Sequence, residues 1–259
     1  MPPATPLHLA AAFAAAFVAS AINSVAGGGT MIAFPTLVAL GLPSVIANAT
    51  TTVGIWPGTL GSIWGFRREV AKIERRMLWL LVPAGLGGGA GALLLRLTSS
   101  ATFDRLVPVL LLFATVLFMI QGPVQRRLRS EETARKAGRG WFAAAIVAQA
   151  AVAVYGGYFG AGMSIVNLSI LGLLGMTDIM EMNAMTSLVS FVINGIAGTL
   201  FIVSGLIDWR YIAPMVIGAL AGGYGAAGAA RRIGKVAIRR FVVVVGLSLA
   251  GLMAVRLIR

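Results

Sequence analysis

Cysteine is absent from this chain, which excludes disulfides, thiolate metal ligands and a persulfide relay. Charge is scarce as well: 11% of the 259 residues are Asp, Glu, Lys or Arg, only eight are acidic, and the single histidine is His8. No ionisable side chain falls in the middle third of any long apolar run, because Asp104, Asp178, Glu181 and Asp208 sit at run ends or in turns. A buried carboxylate proton relay is thereby disfavoured. Gly162-x-Ser164 imitates a serine nucleophile, yet no histidine is placed to activate it. No lysine follows a glycine run in the manner of a phosphate-binding loop, so ATP hydrolysis is excluded. The expectation is a chain that is no enzyme, with no catalytic residue, no metal and no cofactor.

Apolar sequence is what the chain has in abundance, at 58% hydrophobic residues and a mean hydropathy of +0.91. Apolar runs recur at 7–25, 44–66, 77–95, 106–122, 141–157, 183–207, 211–230 and 241–258. About 20 such residues cover a hydrocarbon core of about 30 Å, so the reading is an all-α polytopic membrane protein embedded in a lipid bilayer. The net charge of +13 could suggest nucleic acid. The basic residues, however, cluster at 67–76, 126–139 and 231–240, between apolar runs, where membrane topology accounts for them and places all three loops in the cytoplasm. No nucleic-acid partner is expected. Ala19-Ser20-Ala21 resembles a signal-peptidase site, but Met1 to Ala10 lacks a positive region, so the first helix is expected to be retained.

Duplication organises the chain. "GGGTMIAFPTLVALGLPSVIANATTT" at 27–52 is echoed by "GAGMSIVNLSILGLLGMTDIMEMNAMTS" at 160–187, and the register continues from Gly87-Gly88 to Gly222-Gly223 at an offset of about 135 residues. Residues 1–122 form a first transmembrane repeat, 123–140 a basic cytoplasmic linker and 141–259 a second repeat. With four crossings per half, the third basic cluster falls opposite the first two. Adding one short crossing per half, at 29–42 and 163–176, inverts the second repeat and leaves only Arg96, Arg105, Arg210, Arg256 and Arg259 on the far side, against 16 of the 21 Lys and Arg on the cytoplasmic side. Eight to ten transmembrane segments are therefore expected, in inverted repeats, with the two short segments either crossing or re-entrant.

Gly27-Gly28-Gly29-Thr30 and Gly160-Ala161-Gly162-Met163-Ser164 read as helix breaks followed by restarts. Irregular backbone is tolerated at membrane depth only where protein or a polar cavity covers it, and a restarted helix presents free N–H groups and a positive dipole end. Two such ends facing each other would make an anion site without a buried cation. Asn48-Ala49-Thr50-Thr51-Thr52 and Asn183-Ala184-Met185-Thr186-Ser187 add polar groups near the start of a long crossing in each half. Local capping and bonds to carbonyls one turn back explain part of this; a lining role is favoured for Thr51, Thr52, Thr186 and Ser187, with Asn23, Asn48, Asn167 and Asn183 as further lining candidates. Asn23, Asn167 and Asn194 also suit interhelical hydrogen bonding. Other glycines, such as Gly85 to Gly91, read as close helix packing, and Trp56-Pro57-Gly58 as a kink.

The two glycine-led segments, with the pattern glycine to proline to Ala-Thr in the first, resemble the paired motifs of the TauE/SafE family of sulfite and organosulfonate exporters. The likeness spans nearly the whole chain apart from the linker. The second copy departs from the first in having Met163 where another glycine is usual, and Ser169 opposite Pro35. The resemblance implies an inner-membrane permease that exports small sulfur oxyanions or sulfonates. A cation-coupled importer of sulfate-like or carboxylate anions is the alternative; the oligomeric state is left open.

Overall fold

The computed structural model describes residues 4–26, 29–130 and 139–233; the apolar run at 241–258, the linker centre and Gly27-Gly28 lie outside the described residues. The described chain is all helical. In order come α1 (Pro6–Ala26), α2 (Thr30–Ala39), α3 (Ser44–Gly65), α4 (Arg67–Val70), α5 (Arg75–Leu78), α6 (Leu81–Leu97), α7 (Ser100–Ser130), α8 (Arg139–Tyr158), α9 (Met163–Leu173), α10 (Ile179–Val203) and α11 (Trp209–Ile233). Four stretches among them, Pro6–Asn23, Arg75–Leu97, Ser100–Leu117 and Ile179–Val203, are long and apolar enough to cross a membrane. Helix α3 is 22 residues long but is diluted by Asn48, Thr50 to Thr52, Thr59 and Ser62, a composition suited to facing protein rather than lipid.

The short helices are bounded by matching local chemistry. After α2, Gly41 takes φ 91° and after α9, Gly175 takes φ 89°, a left-handed stop that only glycine adopts freely. The next amides turn back, Leu42 N–H to the Leu37 carbonyl at 3.2 Å and Met176 N–H to the Leu171 carbonyl at 3.1 Å, closing both C-termini alike. At 10 and 11 residues, α2 and α9 span only about 15 Å each. Neither could cross the bilayer as a helix by itself. The kink expected at Trp56-Pro57-Gly58 does not end α3, which continues through Pro57 to Gly65. Trp56 there donates from Nε1 to the Phe191 carbonyl at 3.0 Å and stacks on the Phe191 ring at 5.3 Å.

Small residues set the helix directions. Phe13 and Phe17 of α1 lie against Gly218 and Gly222 of α11, and Met215 and Ala219 of α11 lie against Gly54 and Gly58 of α3, so these three helices run the same way. On the other side, Ala150 and Val154 of α8 meet Gly87 and Gly91 of α6, and Val192 and Ile196 of α10 meet Gly85 and Gly89, so α6, α8 and α10 also share a direction. The two groups are opposed, because Val53 faces Gly198 while Trp56 faces Gly195 where α3 crosses α10. The ends of α3 and α11 and the start of α8 lie on one face, which places the backbone of Arg67, Arg68, Arg139, Arg231 and Arg232 there, while Arg135, Lys136, Lys235, Arg239 and Arg240 lie outside the described residues.

Candidate functional site

The two long polar-bearing helices, α3 and α10, cross at the centre, and α9 begins beside them. Between them lies a small cavity of about 20 Å³, lined by Asn23 of α1, Thr59 and Ser62 of α3, Ser164 and Leu168 of α9, and Asn183, Thr186, Ser187 and Ser190 of α10. All but Leu168 are polar and none is ionisable, so hydroxyl and amide dipoles make its field. A space of that size holds about one water; a multi-atom anion needs α9 or α10 to give way. The cavity sits nearer the face that carries the basic clusters, since Thr59 and Ser62 lie late in α3 and Asn183 to Ser190 lie early in α10.

Hydrogen bonding separates the hydroxyls into two kinds. Thr52 donates to the Asn48 carbonyl at 3.0 Å and Ser187 to the Asn183 carbonyl at 2.8 Å, each spending its proton one turn back. Thr51 and Thr186, at the equivalent position of each motif, are buried with no partner for Oγ1. A buried unpartnered hydroxyl costs roughly 1 to 3 kcal/mol. Of these two, only Thr186 faces the cavity.

The sequence-derived candidates thus divide. Asn23, Ser164, Asn183, Thr186 and Ser187 converge on the cavity. Thr30, Asn48, Thr51, Thr52, Gly160, Gly162, Met163 and Asn167 are not part of its lining, and Gly27 and Gly28 lie outside the described residues. Neither restart is capped by its hydroxyl: α2 and α9 have Gly29 and Gly162 at their N-caps with no side-chain bond. Gly29 lies directly on the Ala19 backbone, where an added Cβ would clash, so close packing accounts for that glycine. The second break is a turn with Gly160 and Gly162 both at φ 77°, held by the Tyr155 hydroxyl donating to the Ala161 carbonyl at 2.5 Å.

The asparagines do not cap their helices either. Asn48 reaches across from α3 to donate to the Tyr158 carbonyl at 3.0 Å, and the cap of α10 is Asp178, which accepts from the Met180 and Glu181 amides at 2.7 and 3.3 Å. Asn167 is fully buried with both amide atoms unpartnered, so it supplies no interhelical bond. Sequence reasoning missed Thr59, Ser62 and Ser190. Their signal was spacing: Thr59 with Ser62, and Thr186 with Ser190, recur at three and four residues and so share a helix face.

An all-helical bundle with a polar cavity free of ionisable side chains matches one known family along its length. The model of the sulfite exporter TauE/SafE family matches residues 12–253. The chain belongs to the TauE/SafE family. Within it, the chain is 30% identical over 246 residues to a probable membrane transporter protein of Haemophilus influenzae, covering 95% of this chain and 94% of that protein. It is 27% identical over 220 residues to the probable membrane transporter protein YfcA of Escherichia coli K12, covering 84% and 79%. A third relative, probable membrane transporter protein ORF9 of Sinorhizobium sp, is 26% identical over 247 residues, covering 93% and 90%. No solved structure matches. This TauE/SafE chain is accordingly a multi-pass membrane transporter, and its relatives are named as transporters rather than enzymes.

Proposed function

We propose that the protein is a permease that exports small sulfur-containing anions, sulfite or organosulfonates, across the cell inner membrane, and that substrate binds in the polar cavity between α3, α9 and α10. The observation that carries this reading is Thr186: a buried hydroxyl without a partner, aimed into a cavity lined by seven other polar side chains. Ser164 adds a second donor beside the N-terminal end of α9, where the helix dipole favours an anion. The site needs no cation of its own. With the cytoplasm negative, exporting a monovalent anion gains about 2.3 kcal/mol per 100 mV, so efflux proceeds without a coupling carboxylate.

Inverted repeats belong to the same proposal, with 1–122 and 141–259 as the two halves, 123–140 as the linker and the basic face in the cytoplasm. Support comes from α1 and α8, α3 and α10, and α6 and α11, which correspond by sequence offset and run in opposite directions. Proteoliposomes test the function. Sulfite and an organosulfonate should move faster when the receiving side is made positive. Indifference to potential with strict dependence on a proton gradient overturns the uniport reading, and sulfate or acetate uptake driven by a cation gradient establishes the importer instead.

A further inference from the structure

A second cavity lies on the outer wall of the bundle, away from the polar site. It is an apolar groove of about 570 Å³ between α3 and α11, lined by Leu60, Ile63 and Trp64 on α3, Val70 beyond it, and Leu220 and Tyr224 on α11, with Arg67 at its mouth. Its walls are open to the surroundings: Leu60 is 49% exposed, Trp64 64% and Tyr224 77%. We propose that this groove holds one anionic phospholipid, an acyl chain lying along Leu60, Ile63 and Leu220 and the headgroup phosphate paired with Arg67.

Three observations on the groove point to that occupant. First, α3 ends at Gly65 and the basic cluster begins two residues later, so the mouth lies at the polar boundary of the membrane, where aromatic rings such as Trp64 and Tyr224 settle. Second, the Arg67 guanidinium is held in place, donating to the Trp64 carbonyl at 3.1 Å and lying 5.4 Å from the Trp64 ring centre. Neither the carbonyl nor the ring neutralises its charge, and among the described residues no carboxylate forms an ion pair with it: Glu74 pairs with Arg76 at 2.6 Å and Asp208 with Arg210. Third, the volume falls within the range of sites for single small molecules, and its apolar wall paired with a cationic mouth matches a lipid with an anionic head. A phosphatidylcholine headgroup carries its own cation and gains little from Arg67. A surface cation near the bilayer favours anionic lipid by about fivefold.

Trp64 reports on the groove. The full-length protein in mixed lipid–detergent micelles would be titrated with phosphatidylglycerol or phosphatidylcholine carrying brominated acyl chains, and the Trp64 contribution isolated by difference against Trp64→Phe. Brominated phosphatidylglycerol should quench Trp64 at about one fifth of the phosphatidylcholine concentration. Arg67→Gln should abolish that preference, Arg67→Lys should keep most of it, and Arg105→Gln should leave it unchanged. Equal quenching by the two lipids, or a preference that survives Arg67→Gln, overturns the proposal. So does protection of Trp64 from both lipids in a chain that runs as a dimer on size exclusion, which would assign the groove to a second copy.

Discussion

Thr186→Val removes one hydroxyl and keeps the shape of the side chain, and the structure gives its two effects opposite signs. In the empty protein the Oγ1 of Thr186 is buried without a partner, a burden of roughly 1 to 3 kcal/mol that valine relieves. Thermal stability in detergent should therefore rise by about 1 kcal/mol, after allowance for partial relaxation around the present hydroxyl. Substrate binding should move the other way. A hydrogen bond to a charged group contributes about 1.5 to 3 kcal/mol, which corresponds to a loss of roughly tenfold to a hundredfold in affinity. Thr51→Val provides the matched control, because its hydroxyl is also buried and unpartnered but does not line the cavity. It should gain stability and keep affinity. Calorimetry with sulfite and with an organosulfonate, on variants shown monodisperse by size exclusion, reads the binding arm. Unchanged affinity in Thr186→Val would refute the assignment of the cavity, and a loss confined to Thr51→Val would move the site to the first half of the chain.

Cysteines introduced at Ser130 and at Gly234 should both be protected from impermeant thiol reagents in intact cells, whereas labelling of Gly234→Cys alone would establish parallel repeats. Gly91→Ala should destabilise the bundle by about 1 to 3 kcal/mol, since the new methyl would overlap the Val154 carbonyl and the Tyr158 amide of α8; Gly65→Ala, with nothing near it, should not, and thermal unfolding distinguishes them. At the start of α11, the Arg210 guanidinium holds the Asp208 carboxyl below its usual range. A depressed value means the pairing stabilises fully above about pH 4 and is lost as pH falls through the lower folded value, so the melting temperature of Asp208→Asn should be lower than that of the native chain at neutral pH and converge with it in strong acid.

The helical class and the membrane setting were legible because apolar runs long enough to cross a bilayer are hard to place anywhere else, and the family was legible because its glycine-led motifs survive in order. Helix ends were read less well. Asn48 and Asn183 look like caps, yet α3 and α10 begin a turn earlier, at Ser44 and Ile179, which leaves both amides inside the membrane bundle. The lining of the cavity was legible only in part for a related reason. Thr59, Ser62 and Ser190 carry no motif, and a hydroxyl in a membrane helix can satisfy itself on the carbonyl one turn back, so sequence alone does not separate a spent hydroxyl such as Ser187 from an available one such as Thr186. Gly29 and Gly88 show the converse difficulty: the same residue type serves backbone packing in both places, and the contacts, not the sequence, identify it.

Equivalent motifs have not produced equivalent surroundings. Helix α9 opens on the cavity through Ser164 in its first turn and Leu168 one turn on, whereas its counterpart α2, beginning at Thr30, turns the fully buried Phe34 into a cluster of rings. Phe34 meets Phe159 at 5.4 Å and Phe103 at 6.4 Å, both edge to face, and Phe103 meets Tyr158 at 5.6 Å. The Asn48 amide closes the same region by bonding the Tyr158 carbonyl, and the Tyr158 hydroxyl in turn bonds Thr98 at the end of α6. Since α6 starts at the basic face and runs away from it, this aromatic group lies towards the opposite face from the cavity. One end of the α3–α10 crossing opens on the polar cavity, and the other is packed with rings. On the export path we propose, an ion leaving the cavity towards that far end would have to part Phe34 from Phe103 and Phe159 and release Asn48 from Tyr158. The barrier among those rings is packing and one hydrogen bond, and the cation at that end of the bundle, Arg210, is paired with Asp208 beside Thr50 of α3, so an anion passing there meets no unneutralised charge at the rings themselves.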